Sequence, residues 1–453
     1  MTTELNMEFI IKLQDLIEAE DSAEVLKMLE DLHPTDIAEI MDKLTMDEAK
    51  YLYLQLDGEM ASDVLLEIPE GVRRRFLRVL PPEVIAHQFV EHMDSDDAAD
   101  IMGELEEEVV EAVLSEIEDK EQAGDIADLL EYDEDTAGGL MAKELIKVNE
   151  NWNVQTCLKE ISTQSEEIDE IYYVYVVDDD NILKGVLSLS KLIQKSTHSK
   201  VKDLINEDIQ SVKTDASQEE VAQIMEKYDL VVLPVVDQIG RLKGRITIDD
   251  VVDVIREETG KDYQMVSGIT GDVESTDNVW RLTRVRIPWL LIGTVGGLTG
   301  AQVLSHHQDT LNHIPAMAFF IPLIAATAGN VGVQSSSIVV QTLAAGSRKF
   351  DTLGKKLFKE LGVGLITGLF FALLIFGYNY LFSDSYKLTL TVSCTLFIVI
   401  VFASLFGTLI PLILHRFKVD PAVATGPFIT TMNDVLGLLL YMGVAHFFFN
   451  FLG

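Results

Sequence analysis

The chain has 453 residues, a formal net charge of −39 and a positive mean hydropathy of +0.19, a pairing that a single soluble domain does not ordinarily show. The charge is one-sided: residues 1–270 hold 65 acids against 24 bases, and residues 271–453 hold 9 against 11. An acidic soluble region thus precedes a nearly neutral apolar one, which argues against nucleic acid or an anionic membrane surface as its partner and for cations. The two cysteines, Cys157 and Cys394, fall one in each region, so neither a disulfide framework nor a thiolate metal site is expected. The first residues, "MTTELNMEFIIKLQDLIEAED", lack a basic-then-apolar leader, so the acidic region is expected to stay in the cytoplasm.

Residues 1–131 read as short amphipathic helices in series, among them "DSAEVLKMLEDL", "PTDIAEIMDKL" and "PEVIAHQFVEHM", with Pro34, Pro69, Pro81 and Pro82 at the joints. None is long enough to be stable alone, so they are expected to stack as an α-helical solenoid. Residues 132–257 contain a repeat. "IDEIYYVYVVDDDNILKGVLSLSKLI" (168–193) parallels "EKYDLVVLPVVDQIGRLKGRITIDDVVDVI" (226–255), and a further strand and helix precede each. This β-α-β-β-α order, twice over, resembles a tandem pair of α+β CBS domains. The second copy keeps Thr247 and Asp250, the residue types that contact an adenosine ribose in nucleotide-binding CBS domains. The first has Lys191 at the acidic position, so the resemblance implies an adenine nucleotide at the second copy at most.

Residues 258–284 read as a linking helix, and residues 285–453 as a transmembrane domain. Five apolar runs of roughly 20 residues begin at Ile287, Ala316, Leu361, Leu388 and Pro421. Basic residues cluster before the first run (Arg281, Arg284, Arg286), between the second and third (Arg348, Lys349, Lys355, Lys356, Lys359) and before the fifth (Arg416, Lys418). The other two loops, "SHHQDTLNHIP" and "SDSYK", share one base, Lys387. The positive-inside rule then gives a multi-pass protein of the cytoplasmic (inner) membrane, N-terminus inside and C-terminus outside.

Asp434 lies about 13 residues into the fifth run, or roughly 20 Å along a helix. A carboxylate at that depth costs about 2.5 kcal/mol or more. No Lys or Arg within the runs is available to pair with it, so it is protonated, faces water or meets a cation. In the second run Asn330 and Gln334, at i and i+4, offer amide oxygens from one face, while the neighbouring Gly and Ser residues permit close helix approach. Pro322, Pro421 and Pro427 are expected to free backbone carbonyls within the spans. Two copies sharing an axis would set two Asp434 carboxylates around it, a site suited to a hydrated hard cation such as Mg²⁺.

The segments "DTAGGLM" (135–141), "PLIAATAGNVGVQ" (322–334) and "DPAVATGPFITTMNDVLGLL" (420–439), with the order of the blocks, resemble the bacterial MgtE magnesium channels. One departure is "TAGN", where that family leads one to expect two glycines before the Asn. The resemblance implies a homodimer in the lipid bilayer with one pore on its axis, Asp434 as the pore acid and Asn330 on the pore-lining second helix. Two acidic clusters are candidate regulatory Mg²⁺ sites: Asp96 and Asp100 in "MDSDDAAD", and Asp250, Asp253 and Glu257 with the adjacent Glu258 in "TIDDVVDVIREETGKD". Carboxylates gathered this way repel until a divalent cation bridges them, although for any one residue a solvated helix face is an equal reading. By resemblance, Glu219 and Asp229 join them.

The expected function is a Mg²⁺-selective channel that closes when cytoplasmic Mg²⁺ binds these clusters. Two alternatives stay open: a proton-coupled divalent cation carrier, and a non-transporting CBS sensor tethered to a helix bundle. No nucleophile–base pair and no phosphate-cradling Gly loop with Lys appears, so an enzyme is not expected.

Overall fold

The structure is a computed structural model that describes residues 7–41, 43–165, 168, 171–271, 273, 278–344, 353–383, 385–424 and 426–451. Arg348 and Lys349, which entered the orientation argument, and residues 272 and 274–277 of the linking segment lie outside the described residues. The chain divides into two compact units, Met1–Ile255 and Arg256–Gly453.

Among the described residues, the first unit opens with ten α-helices of 7 to 12 residues, from Met7–Glu18 to Lys120–Leu129. Polar caps explain where several begin: Asp21, Asp57 and Asp119 accept from the first-turn amides, and Thr45 with Glu48 forms a capping box. The prolines also fall at helix starts, where a missing N–H costs nothing. The apolar stripes pool into one core around Leu13, Ile37, Tyr53, Phe76 and Phe89. That core continues without a break into Val221, Met225, Leu233 and Ile246 of the second CBS copy, whereas the first copy has a core of its own around Val148, Cys157, Val174 and Leu187.

The repeat read from the sequence appears as two three-stranded sheets of the same topology. In the first, β1 (Ile146–Asn149) runs parallel to β2 (Val174–Val177), which pairs antiparallel with β3 (Leu183–Leu187). In the second, β4 (Val212–Lys213), β5 (Val232–Val236) and β6 (Leu242–Thr247) repeat the order, down to a register shift at Val176/Val177 and again at Val235/Val236. The "DTAGGLM" segment lies along the second sheet, with Ala137 N–H donating to Ala216 and Gly138 N–H to Thr214. A Cβ at Gly138 would fall 2.4 Å from the Tyr132 ring, which accounts for that glycine.

Among the described residues, the second unit holds five helices long and apolar enough to cross a membrane: Val279–His306, Ile321–Ala344, Leu353–Phe382, Tyr386–Arg416 and Pro427–Phe451. They are called the first to fifth spans below. The fourth packs against the second, the third and the fifth and is the most buried. Its closest approach to the second is backbone on backbone, since a Cβ at Gly407 would sit 2.4 Å from the carbonyl of Gly332.

Three expectations change. The fifth helix starts at Pro427, because Pro421–Ala424 forms a short 3₁₀ turn; Asp434 is therefore seven residues along it, or about 10 Å rather than 20 Å. Pro322 and Pro427 stand in the first turn of their helices and open no mid-span carbonyls; the prolines inside spans are Pro288 and Pro411. The linking helix is also displaced: it runs Ile248–Val266, starting within the CBS block, and the next helix begins at Val279.

The Gly332–Gly407 contact leaves no room for a side chain, and overpacking of this kind costs about 1–3 kcal/mol. Gly407→Ala is expected to lower the melting temperature of the detergent-solubilised protein by several degrees, read by size-exclusion of heated samples.

Candidate cation sites

In the membrane unit, Asp434 packs against the second span where the side chain is smallest. A Cβ on Gly329 would lie 3.3 Å from Asp434 Oδ1 and 3.0 Å from Thr430 Cγ2, so the glycine makes room for the carboxylate. Asp434 is half-buried, and its Oδ1 is buried without a hydrogen-bond partner among the described residues. Asn433, which the sequence reading passed over, is 1% exposed and has both amide atoms unpartnered; its Nδ2 takes the space beside Gly332. Asn330 and Gln334 lie on a different side of the second span, on an exposed stripe with Ala326 and Ile338. Two amides thus look outward from a membrane-crossing helix while a carboxylate packs against its glycine.

The start of the fifth span is capped by the end of the helix Ile248–Val266. Gly426 (φ +61°) approaches the Val266 carbonyl so closely that a Cβ would come within 2.1 Å of it, and a Cβ at Gly268 (φ +80°) would meet the Pro427 ring at 2.5 Å. Beside this contact, burial and then the charges of Asp420 and Glu258 hold the Asp262 carboxyl above the usual range. Neither Asp262 nor Asp420 was singled out from the sequence; only their packing pairs them.

In the first unit, Asp96, Asp97 and Asp100 of the helix Ser95–Gly103 lie near enough to Asp250 for its charge to act on each, which brings together residues that the sequence placed in two separate clusters. Burial, followed by the charges of Asp97 and Asp250, raises Asp96 well above an ordinary carboxyl. Burial followed by Asp250 and Asp100 raises Asp97 to about 7. Asp100 keeps an exposed edge, yet its dense surroundings, followed by the charge of Glu134, also push it up to about 7. Burial raises Asp250 as well, even though its carboxylate accepts from the Thr247 N–H and hydroxyl. That bond occupies the pair singled out for a ribose. Nearby, Asp94, Asp96 and Glu144 bring one oxygen each to within 4.8 Å of one another. Glu144 in addition accepts from Ser95 N–H (3.1 Å) and Ser95 Oγ (2.8 Å), tying the helix start to the strand region. An all-carboxylate donor set of this kind fits a hard divalent cation.

The other expected residues are not drawn into this group. Glu219 is exposed in the first turn of Gln218–Tyr228, and Asp229 is its exposed C-cap with φ +52°. Asp253 is exposed. Glu257 and Glu258 already hold a cation, the Lys261 ammonium at 2.9 and 3.2 Å; partial burial opposes that charge, but the two carboxylates raise its pKa overall.

Comparison with known proteins bears on every block. Residues 321–444 match the profile of the MgtE family, described as a divalent cation transporter. Residues 32–135 match the MgtE intracellular N domain, and 137–197 and 201–257 match the CBS domain. The magnesium transporter MgtE of Thermus thermophilus is 33% identical over 96% of this chain and 97% of its own length; that of Bacillus subtilis is 31% identical over 98% of each. A crystal structure of the cytosolic domain of the Mg²⁺ channel MgtE in complex with ATP is 34% identical, covers 54% of this chain and 99% of that one, and has a TM-score of 0.50.

The raised carboxyls fix the sign of a pH effect. Protons that the unfolded chain releases near pH 4 stay bound in the folded state, so their stabilisation is complete below about pH 4 and is lost as pH rises through about 7. In chelator, the melting temperature of the acidic unit should fall between about pH 5 and pH 8. Addition of Mg²⁺ at the higher pH should restore it, and Asp97→Asn with Asp100→Asn should flatten the dependence in a thermal-shift assay.

Proposed function

This chain belongs to the MgtE family of divalent cation transporters, and from that premise we propose that it conducts Mg²⁺ through a pore on the axis of a homodimer, closed when cytoplasmic Mg²⁺ binds its acidic clusters. The observation that carries this reading is the membrane-crossing second span, whose exposed side presents Asn330 and Gln334. Hydrocarbon cannot satisfy those amides, whereas a second copy facing the first across a wet axis can. Asp434 then supplies one carboxylate per protomer, and Mg²⁺, which sheds water reluctantly, is held by the pair through its hydration shell. Asn330 adds an amide oxygen for the same water. The N-terminus is cytoplasmic and the C-terminus outside.

Gating follows from charge. Without a cation the cluster of Asp96, Asp97, Asp100 and Asp250 repels itself; bound Mg²⁺ neutralises that repulsion and holds the helix that carries Asp250 in place. Asp250 lies on the helix Ile248–Val266, the far end of which abuts the start of the fifth span. Loss of Mg²⁺ from the cluster therefore frees that end and unblocks the route to Asp434. Asp262 and Asp420, crowded at the same mouth, extend the regulatory set, as do Asp94 and Glu144 beside Asp96. Glu219, Asp229, Asp253, Glu257 and Glu258 remain in it as residues that would gather across the dimer. The name of the related cytosolic structure gives ATP as its ligand. On that basis an adenine nucleotide is assigned to the CBS pair here.

In proteoliposomes with low internal Mg²⁺ and no pH gradient, wild type should take up Mg²⁺ and Asp434→Ala should not; uptake that requires a proton gradient would mean a coupled carrier instead. With high Mg²⁺ on the cytoplasmic face, wild type should close, and Asp96→Asn, Asp100→Asn, Asp250→Asn should stay open in patch recordings.

A further inference from the structure

The five spans contain two acids, Asp434 in the fifth and Glu360 in the third. The conduit uses the first; the second has no part in it so far. Glu360 accepts two hydroxyl hydrogen bonds at one oxygen, Oε1, from two different helices: Ser335 of the second span and Ser404 of the fourth, each at 2.6 Å. Both serines are buried, at 5% and 1% exposure. About one turn along, the same two helices touch through Gly332 and Gly407. The third span joins them closely as well, since a Cβ on Gly364 would lie 3.3 Å from Ser404.

The second span thus meets a carboxylate at two heights: Asp434 packs against Gly329 with its Oδ1 unpartnered, and Glu360 bonds to Ser335, six residues or about 9 Å away. Asn330 and Gln334, the outward amides, lie between those heights. A serine in a membrane helix ordinarily bonds back to its own backbone. Here both hydroxyls turn away to one shared acceptor oxygen, so that a single side chain links the two helices. Such a pairing fixes the rotation of a helix about its axis, which interdigitated small residues alone leave loose.

We propose that Glu360 is a positioning residue for transport: by joining Ser335 to Ser404 it sets the rotation of the second span, and with it the direction in which Asn330 and Gln334 are presented. The inference builds on the conduit reading but can be tested apart from it. The full-length chain carrying Cys157→Ser, Cys394→Ser and Gln334→Cys is reconstituted in lipid vesicles, and the rate of modification by a water-soluble, positively charged thiol reagent is measured. Glu360→Ala should slow that rate roughly tenfold, the equivalent of one or two ordinary hydrogen bonds. Glu360→Gln, which retains an acceptor oxygen, should stay within about twofold of the parent. Ser404→Ala removes only one donor, so it supplies a milder variant with a smaller slowing if Glu360→Ala is not recovered as folded protein by size-exclusion. Mg²⁺ uptake by vesicles with Gln334 intact should fall in step, with wild type and Asp434→Ala alongside. Failure of transport in wild type would count against the conduit alone, because the labelling rate does not depend on flux. Unchanged labelling in both Glu360→Ala and Ser404→Ala would overturn the proposal. So would equal slowing by Glu360→Gln and Glu360→Ala, because the charge rather than the hydrogen-bond geometry would then be at work.

Discussion

A carboxylate held away from bulk water needs a proton, a donor or a cation, and this constraint organises both halves of the molecule. In the acidic unit it appears as Asp96, Asp97, Asp100 and Asp250 pressed together, with carboxyl affinities for protons raised by burial and mutual repulsion. In the membrane unit it appears as Asp434, with one oxygen buried and unpartnered, and as Glu360, satisfied by two serines. The difference between these solutions separates their roles. Where donors from the chain complete the carboxylate, it acts as a fastener; where they do not, it is left for a solute.

Small residues carry the complementary half of that design. Gly329 admits Asp434, Gly332 admits both Asn433 and the backbone at Gly407, and Gly426 lets the end of the linking helix rest on the fifth span. Each is a place where a polar group or a backbone comes closer than any side chain would allow. A binding route through a helix bundle needs such places, since apolar side chains of ordinary size would fill them.

Much of this was legible in the sequence. Composition separated the acidic from the apolar region, hydropathy found five spans, and the Leu-Lys-Gly repeat announced two matching sheets whose turns end in Asn181 and Gly240. The lone acid in the last span was visible because nothing near it in sequence could neutralise it. What was not legible depended on long-range packing. Asp97 adjoins Asp96 with nothing in the sequence to bring it near Asp250, and Asp262 and Asp420 are 158 positions apart in the chain. Glu360 follows three lysines near the start of the third span, and its serine partners come from two other helices. The helical starting point of the fifth span was hidden by Pro421, which begins a turn as readily as a helix.

The division of cores in the acidic unit has a consequence for cooperativity. The helical region and the second CBS copy share one apolar interior, while the first copy, between them in the chain, folds around its own. It is an insertion within a larger cooperative body, joined to it through its strand turns and a small cluster of Tyr175, Val177 and Leu242. Unfolding of the inserted copy need not melt its host. The two CBS copies, alike in topology, are therefore unequal in mechanics: one shares the fate of the helical region, and the other can loosen on its own.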